Sequence, residues 1–472
     1  MPKFYITAAI PYVNAPPHIG HALEFVQADV VARYHKLIDD DVCQLCGGDE
    51  NALKNVQAAE KAGKNIQEFV DENTKLFEEL AKQLNVRFDI FQKGSSQQHH
   101  ESSQELWNRC FKSGDIYKKE YSGLYCVGCE LFYSPGELDE KGECLEHPGK
   151  KLETVTEENY FFKLSKYQKN IIDLIQTNRL SIVPEKRKNE VLGFLKNPLQ
   201  DISISRTNER AKNWGVPVPN DATQRMYVWF DALNIYQSGI GFGSNEENYK
   251  KWWPADVHVI GKGIIRFHAV YWPAFLLSAK LKPPKQLFVH EYFTVNGQKM
   301  SKTLGNVIDP IGLVKKYGAD GVRLYFLKHF SAFNDGDFSE DKFKEAYNAD
   351  LANGLGNLVA RVARLCEKVE LDQLNKPELN ANYKNIIKEY RFNDLLNEIW
   401  ENISKIDQEI EIAQPWKITD NEELKNLLQI WVNQINQIAY ELKPFLPVTS
   451  KKIQNLFGQS KIKSTLPLFP RV

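Results

Sequence analysis

Residues Tyr5 to His21 read YITAAIPYVNAPPHIGH. Phe4 to Ile10 is an apolar run of strand length, Pro11, Asn14, Pro16 and Pro17 break it, and from Ile19 apolar residues recur at helical spacing through Tyr34. The stretch predicts strand, loop, helix. Its helix mouth carries His18 and His21 around Gly20. The first turn of a helix has unpaired N–H groups and a partial positive charge, Gly20 admits a ligand to the backbone, and the two imidazoles share a face. Such a surface suits a polyphosphate. The alternative is that one histidine caps the helix while the other packs, and this motif alone does not decide between them.

A second stretch lies far down the chain. Lys299-Met300-Ser301-Lys302-Thr303 follows the turn Asn296-Gly297-Gln298, so lysines and hydroxyls crowd one short loop. A solvated basic loop is the bland reading of it. Taken with the first stretch, it resembles the HIGH and KMSKS signatures of the class I aminoacyl-tRNA synthetases, with Thr303 in the last position. The resemblance implies that ATP binds to His18, Gly20, His21, Lys299, Ser301 and Lys302, with His18, His21, Lys299 and Lys302 catalytic and Mg²⁺ on the phosphates.

Size and charge bound the rest. A chain of 472 residues exceeds one core and predicts two to four domains. Its 60 Lys and Arg nearly balance 61 Asp and Glu, so any RNA site must be a local patch. No apolar run approaches a membrane span and no signal peptide heads the chain, so a soluble cytoplasmic protein is expected. Seven cysteines, with Cys-x-x-Cys pairs among them, suit thiols and metal better than a disulfide framework.

After the first helix, Val42 to Leu45 predicts a buried strand ending at Gly47-Gly48-Asp49-Glu50. A carboxylate just past a strand end in a parallel sheet lies on the ligand-binding edge, so Asp49 is a site candidate; capping a helix from Ala52 to Ala62 is the competing role. Cys43 and Cys46, inside the strand, are expected to be core thiols. Helical pattern runs from Ile66 to Leu84 and from Ser102 to Phe111. The texture then changes to short strands and turns, until Met226 to Phe230 and Val257 to Ile260 resume the parallel sheet around a helix at Ala232 to Gln237. Leu351 to Leu365, Tyr383 to Asn402 and Asn421 to Leu442 predict an antiparallel helix bundle.

Cys126, Cys129, Cys144 and His147 form two chelating pairs in the changed segment. Three thiolates and an imidazole close a tetrahedral zinc site with no open position, which marks it as structural.

Several stretches together, AIPYVNAPPHIGH, the knuckle after LYC, Tyr227 to Ala232, and Trp416 after Pro415, look like the methionyl-tRNA synthetase family across almost the whole chain. By residue type, Ile10, Tyr12, Trp229, Ala232, Tyr236, Ile264 and His268 suit an apolar, polarisable slot for a thioether, although core packing would use the same residues. The resemblance implies that Asp49 holds the ammonium group and that Tyr12 and His268 approach the sulfur. It implies further that Asn353, Asn357, Arg361 and Trp416 read a CAU anticodon; the first three, at spacings of four, are expected on one helical face. Two departures stand out: Asn51-Ala52 where the family often has His-Gly, and Gly263 where it usually has Asp.

The expected architecture is α/β: a Rossmann-like catalytic domain in two halves, 1–115 and 226–308, split by a zinc-binding insertion at 116–225, then a connecting stem-contact segment at 309–349 and an all-α anticodon-binding domain at 350–472. The expected activity is methionine–tRNA ligation with L-methionine, ATP and tRNA(Met) as partners. A monomer is expected, because the chain stops soon after Pro470 without an appended module. The small insertion leaves no room for the large editing domain of the leucine, isoleucine and valine enzymes. A catalytically silent RNA-binding relative would leave both signatures unexplained.

Overall fold

The expected parallel sheet is present in the computed structural model, which describes the chain except residues 127–130, 134–137, 145–151, 301–304, 460 and 465 and the side chains of Leu131, Phe132 and Lys299. Six strands build it: β1 (Lys3–Ala8), β2 (Asp41–Gly48), β3 (Ile90–Lys93), β4 (Ser181–Val183), β5 (Val257–Gly261) and β6 (Gln286–His290). They are parallel and lie in the order β3-β2-β1-β5-β6-β4. Successive side chains of a strand point to opposite faces, and Tyr5 and Ile6 are both fully buried, so both faces of β1 are covered. The chain adds β2 and β3 on one side of β1 and the other strands on the other. The order therefore reverses between β1 and β5, where Ile6, Thr7 and Ala8 face Val257, His258 and Val259. Ligand crevices of open α/β sheets form at the carboxyl ends of strands at such a point.

The segment expected as an insertion is only partly one. Ile116–Cys126 and Glu153–Phe162 pair antiparallel along their length and form a four-stranded sheet with Leu131–Tyr133 and Ile202–Ser203. Ser181–Val183, within the same segment, instead pairs with β6 as an edge of the parallel sheet. Cys43 and Cys46 are buried, as expected of core thiols, and Cys46 Sγ contacts the Ala9 carbonyl at 3.5 Å. The helix expected at Ala232 to Gln237 is instead two short ones, Val228–Ala232 and Ile235–Ser238. Asn234 between them turns its amide to the Ser102 and Ser103 hydroxyls of helix Gln97–Lys112 at 3.0 and 3.2 Å.

Two of the predicted bundle helices are interrupted. Leu351 to Leu365 is split into a π-helical segment, Tyr347–Leu355, and an α-helix, Gly356–Cys366, with Gly354 outside helical backbone space at φ −86°, ψ −106°. Tyr383 to Asn402 is split into Ala381–Lys388 and Phe392–Ala413 around Tyr390 at φ 58°. The following helix, Asn421–Glu441, buries Leu424, Leu428, Trp431, Ile435 and Ile438, apolar residues at spacings of three and four. Its Gln429, Asn433 and Gln437 accept the backbone N–H groups of Asp372, Asn375 and Glu378 at 2.9, 2.9 and 3.1 Å. Residues four apart stack along one helix face, so an extended segment with no sheet partner finds its hydrogen bonds there. No helix among the described residues is long and apolar enough to cross a membrane.

The chain forms two compact units: Met1–Pro17, Asp40–Glu79 and Arg87–His290, and His18–Asp39, Leu80–Val86 and Glu291–Val472. This division differs from the expected halves, since the helix Ile19–Leu37 groups with the C-terminal part of the chain. Arg323 gives the reason within the second unit. Its fully buried guanidinium lies 2.8 Å from Asp29 Oδ2 and donates to the carbonyls of Phe445 at 2.7 Å, Pro444 at 2.8 Å and Leu84 at 3.3 Å. Asp29 also accepts from Arg33 at 2.6 Å. Removing one partner of a buried, hydrogen-bonded pair costs about 3–5 kcal/mol. Arg323→Met should therefore lower the unfolding free energy read from the urea transition of the second unit's helical signal by about 3–5 kcal/mol. Arg323→Lys should recover little of the loss, because an ammonium cannot reproduce the planar fork.

Candidate active site

The site grows from the carboxyl edge of the sheet at the switch point. Past β1 the chain turns at Pro11, whose carbonyl accepts the Asp49 N–H at 2.9 Å, while the Val13 N–H donates to the Asp49 carbonyl at 3.4 Å. These bonds bring Tyr12 and Asp49 side by side in a short parallel bridge. Asp49 is 3% exposed, and it is not a helix cap: Ala52 precedes helix Leu53–Ala62 with no side-chain cap bond. The competing role considered for Asp49 is thereby removed. Lys54 Nζ sits over the Tyr12 ring, 3.0 Å from its centroid.

Opposite this edge stands a wall of aromatic rings. Trp229 meets Tyr12 edge-on at 6.1 Å and His268 edge-on at 6.3 Å, and lies flat on Phe267 with centroids 3.7 Å apart. Phe267 and His268 belong to a π-helical turn, Phe267–Tyr271, that follows β5 and the short helix Lys262–Ile264. Single π-turns of this kind concentrate at functional sites. The sequence reading did not single out Phe267; it opens an apolar run that spacing cannot tell from core.

Hydrogen bonds settle the proton on His268. Nδ1 lies 3.0 Å from the Ile264 carbonyl, which can only accept, so Nδ1 carries the hydrogen and Nε2 accepts from the Tyr236 hydroxyl at 2.8 Å. Burial lowers the His268 pKa to about 4, the bond to Ile264 opposing the shift. Tyr236 stacks on His258 at 4.3 Å, and His258 in turn bonds the Thr7 hydroxyl at 2.7 Å. Burial, then the neighbouring His268, hold the His258 imidazole well below its usual range. Ala232 is buried on the Trp229 helix, and Ile10 and Ile264 are half-buried against the same core. The predicted slot residues thus come together in the first unit, with Gly263 in the turn after β5.

The helix mouth belongs to the second unit. His18 is the N-cap of Ile19–Leu37: its Nδ1 accepts the Gly20 N–H at 3.1 Å, while His21 Nδ1 accepts the His18 N–H at 3.2 Å. The two rings stack at 3.9 Å. Both histidines therefore cap the helix reciprocally, which neither reading of the motif foresaw. Since each Nδ1 accepts, each neutral ring carries its hydrogen on Nε2. Burial, then His18, lower the His21 pKa well below its usual value. A Cβ on Gly20 would lie 2.9 Å from His18 Cε1, so the glycine is required by the cap itself, and 3.8 Å from Met300 Cε. The two signature stretches accordingly meet in the second unit. Met300 leaves a hairpin, Phe293–Val295 with Gln298–Lys299, turned at Asn296 and Gly297 with φ 51° and 75°. The Lys299 side chain, Ser301, Lys302 and Thr303 lie outside the described residues.

Of the four expected zinc ligands, Cys129 and His147 also lie outside the described residues. Cys126 and Cys144 are buried, and Cys144 Sγ is 3.5 Å from the Tyr133 hydroxyl. Among the described residues alone, no group of three or more His, Cys, Asp or Glu side chains could hold a metal. The expected anticodon face needs a correction. Asn357 and Arg361 share helix Gly356–Cys366, but Asn353 precedes the break at Gly354, so a regular spacing of four does not carry through it. Trp416 is 47% exposed, and the Arg361 guanidinium lies 5.4 Å from its ring and 2.6 Å from Glu411.

Comparison with known proteins places this geometry. Residues 4–363 match the family model described as tRNA synthetases class I (M). The chain is 40% identical over 471 residues to a methionine–tRNA ligase of Thermotoga maritima, covering 96% of this chain and 74% of that one. It is also 40% identical over 478 residues to a methionine–tRNA ligase of Nostoc sp., covering 96% and 90%. Among solved structures, the Mycobacterium tuberculosis methionyl-tRNA synthetase in complex with methionyl-adenylate superposes with a TM-score of 0.93 at 34% identity, covering all of both chains.

The depressed His268 pKa makes a prediction for stability. The unfolded chain takes up this proton near pH 6.5 and the folded chain only near pH 4, so stability falls as pH is lowered through that window. At 1.36 kcal/mol per pKa unit the loss from this group is about 3 kcal/mol. In urea unfolding between pH 7 and pH 4.5, His268→Gln should show a shallower fall in stability than the parent.

Proposed function

Since the chain belongs to the methionine–tRNA ligases, a branch of the class I tRNA synthetases, we propose how its residues divide that reaction. The enzyme activates L-methionine with ATP to methionyl-adenylate and transfers the methionyl group to the 3′-terminal adenosine of tRNA. The observation that carries the residue assignment is the slot itself. A buried carboxylate, Asp49, stands at the switch point of the sheet beside an aromatic wall that includes Tyr12, Trp229 and His268.

In this reading Asp49 takes the substrate ammonium. Ile10, Tyr12, Trp229, Ala232, Tyr236, Ile264 and His268 enclose the thioether, whose polarisable sulfur suits aromatic edges. Because His268 is neutral, its imidazole presents no cation to the side chain. His18, Gly20 and His21 with Lys299, Ser301 and Lys302 bind the phosphates, and Mg²⁺ supplies further neutralisation of their charge. Nothing carboxylate-bearing stands in the first turn of the His18 helix, which leaves that terminus suited to an anion. The methionine carboxylate attacks the α-phosphorus, pyrophosphate leaves, and a ribose hydroxyl of tRNA then attacks the acyl carbon as AMP leaves. No protein nucleophile is needed, so rate comes from positioning and charge stabilisation.

The finer assignments follow the same reading. Asn353, Asn357, Arg361 and Trp416 bind the anticodon, with the exposed indole offering a face for a base. Cys126, Cys129, Cys144 and His147 hold a structural zinc. The five-part division at 1–115, 116–225, 226–308, 309–349 and 350–472 describes the roles, and the enzyme works as a cytoplasmic monomer.

Methionine-dependent ATP–pyrophosphate exchange is the test, run beside leucine, isoleucine, cysteine and homocysteine. Methionine should dominate. An apolar slot separates one methylene by only about 1–3 kcal/mol, so homocysteine should give weak but measurable exchange. Absence of exchange with every amino acid, in folded enzyme, would overturn the reading in favour of an RNA-binding scaffold. For the tRNA half, stacking on an aromatic ring is worth about 1–3 kcal/mol per base. Trp416→Ala should therefore lower kcat/KM for tRNA roughly 5- to 150-fold and leave exchange unchanged.

A further inference from the structure

Asn51 and Asp231, 180 residues apart, are joined by a buried hydrogen bond of 2.5 Å from Asn51 Nδ2 to Asp231 Oδ2. The second hydrogen of the same amide goes to the Gly94 carbonyl at 2.8 Å, so both donors of the group are engaged. Asn51 is 8% exposed and Asp231 2%. A carboxylate taken that far from water needs donors. Besides Asn51, Oδ2 has His99 Nε2 at 3.5 Å, and Oδ1 has no hydrogen-bond partner among the described residues. Asn51 is therefore the short contact on which the Asp231 carboxylate depends.

The position of the pair gives it a consequence for the site. Asn51 follows Asp49 by two residues beyond β2, and Asp231 sits between Trp229 and Ala232 in their short helix. One hydrogen bond thus joins the strand end that presents the slot's carboxylate to the helix that presents its indole. Each side is anchored elsewhere as well. The Asp49 carbonyl accepts from Asn55 Nδ2 at 2.8 Å, and Gly94 N–H donates to the Gly48 carbonyl at 3.1 Å. The Trp229 side continues through Asn234 to Ser102 and Ser103, and through Ser238 to His99 Nδ1 at 2.9 Å. Asn51 bridges two structures that are each held rigidly.

We propose that Asn51 is a positioning residue for the amino-acid substrate, acting through Asp231 to fix the separation between the Asp49 carboxylate and the Trp229 wall and so to set the affinity for methionine. The proposal rests on the methionine-slot assignment above. An amide suits this role because it supplies two donors from one plane.

The test uses the full-length enzyme in ATP–pyrophosphate exchange, with thermal midpoints recorded in parallel. Asn51→Asp sets two acceptors against each other. Loss of binding shared by ground and transition states raises KM with kcat unchanged, so the KM for methionine should rise about tenfold or more, with kcat and the KM for ATP within about twofold of the parent. The exchanged pair, Asn51→Asp with Asp231→Asn, restores a donor facing an acceptor at the same net charge and should bring the methionine KM back to within about threefold. If Asn51→Asp does not fold, Asn51→Ser, which keeps a single donor, and the exchanged pair carry the same comparison. A folded Asn51 variant with an unchanged methionine KM overturns the proposal. So does a parallel loss in kcat and both KM values that the exchanged pair does not repair. Asp49→Asn separates the two levels of argument. If it leaves the methionine KM unmoved, the slot assignment itself is wrong; if it raises that KM while the Asn51 variants do not, only the bridge is wrong.

Discussion

The guanidinium of Arg323 is the constraint on which the second unit's arrangement depends. A cation with no exposure is tolerable only when its N–H groups have acceptors, and it finds them on three remote pieces of chain: Asp29, the Leu84 carbonyl, and the carbonyls of Pro444 and Phe445. The helix that begins at His18 is thereby tied, at Asp29 in its middle, to helix Ala319–Lys328. The mouth of the same helix lies beside Met300, whose Cε is 3.8 Å from where a Cβ on Gly20 would stand.

This long-range tie also explains what the sequence could and could not reveal. The strand, loop and helix of the first stretch were legible because apolar spacing and prolines are local signals. The same holds for the Asn296-Gly297 turn, where both residues have positive φ as a tight hairpin requires. The grouping of residues 18–39 with the C-terminal part was not legible, because an Asp and an Arg almost three hundred positions apart carry no local mark of their pairing. Nor was the break at Gly354 or at Tyr390, since each flanking segment has helical spacing on its own and only the backbone angle between them changes.

In the candidate site the same line separates what local sequence marks from what it does not. Asp49 was singled out by its place after a strand end, and the aromatic residues by their chemistry. Phe267 was missed because its role is to lie flat on Trp229, a relation that exists only after a π-helical turn has rotated it there. Asn51 was noticed as a departure from a familiar pattern, but its partner Asp231 had been read only as part of a motif. A hydrogen bond across 180 residues has no periodicity to betray it.

The histidines complete the argument about charge. His21, His258 and His268 all have pKa values pushed down by burial, and the Nδ1 atoms of His18 and His21 both accept backbone N–H groups. On the proposed assignment, His18 and His21 meet phosphate oxygens through the hydrogens on Nε2. The charge that a departing pyrophosphate demands falls, in the same proposal, to the helix terminus, to Mg²⁺ bound with the nucleotide and to the lysines of the 299–302 loop. The proposal thus divides the labour, the helix mouth giving geometry and the lysine loop charge. On the proposed assignment the slot's imidazoles stay neutral, Asp49 carries its one charge toward the ammonium, and the positive charge needed for chemistry is assembled around ATP.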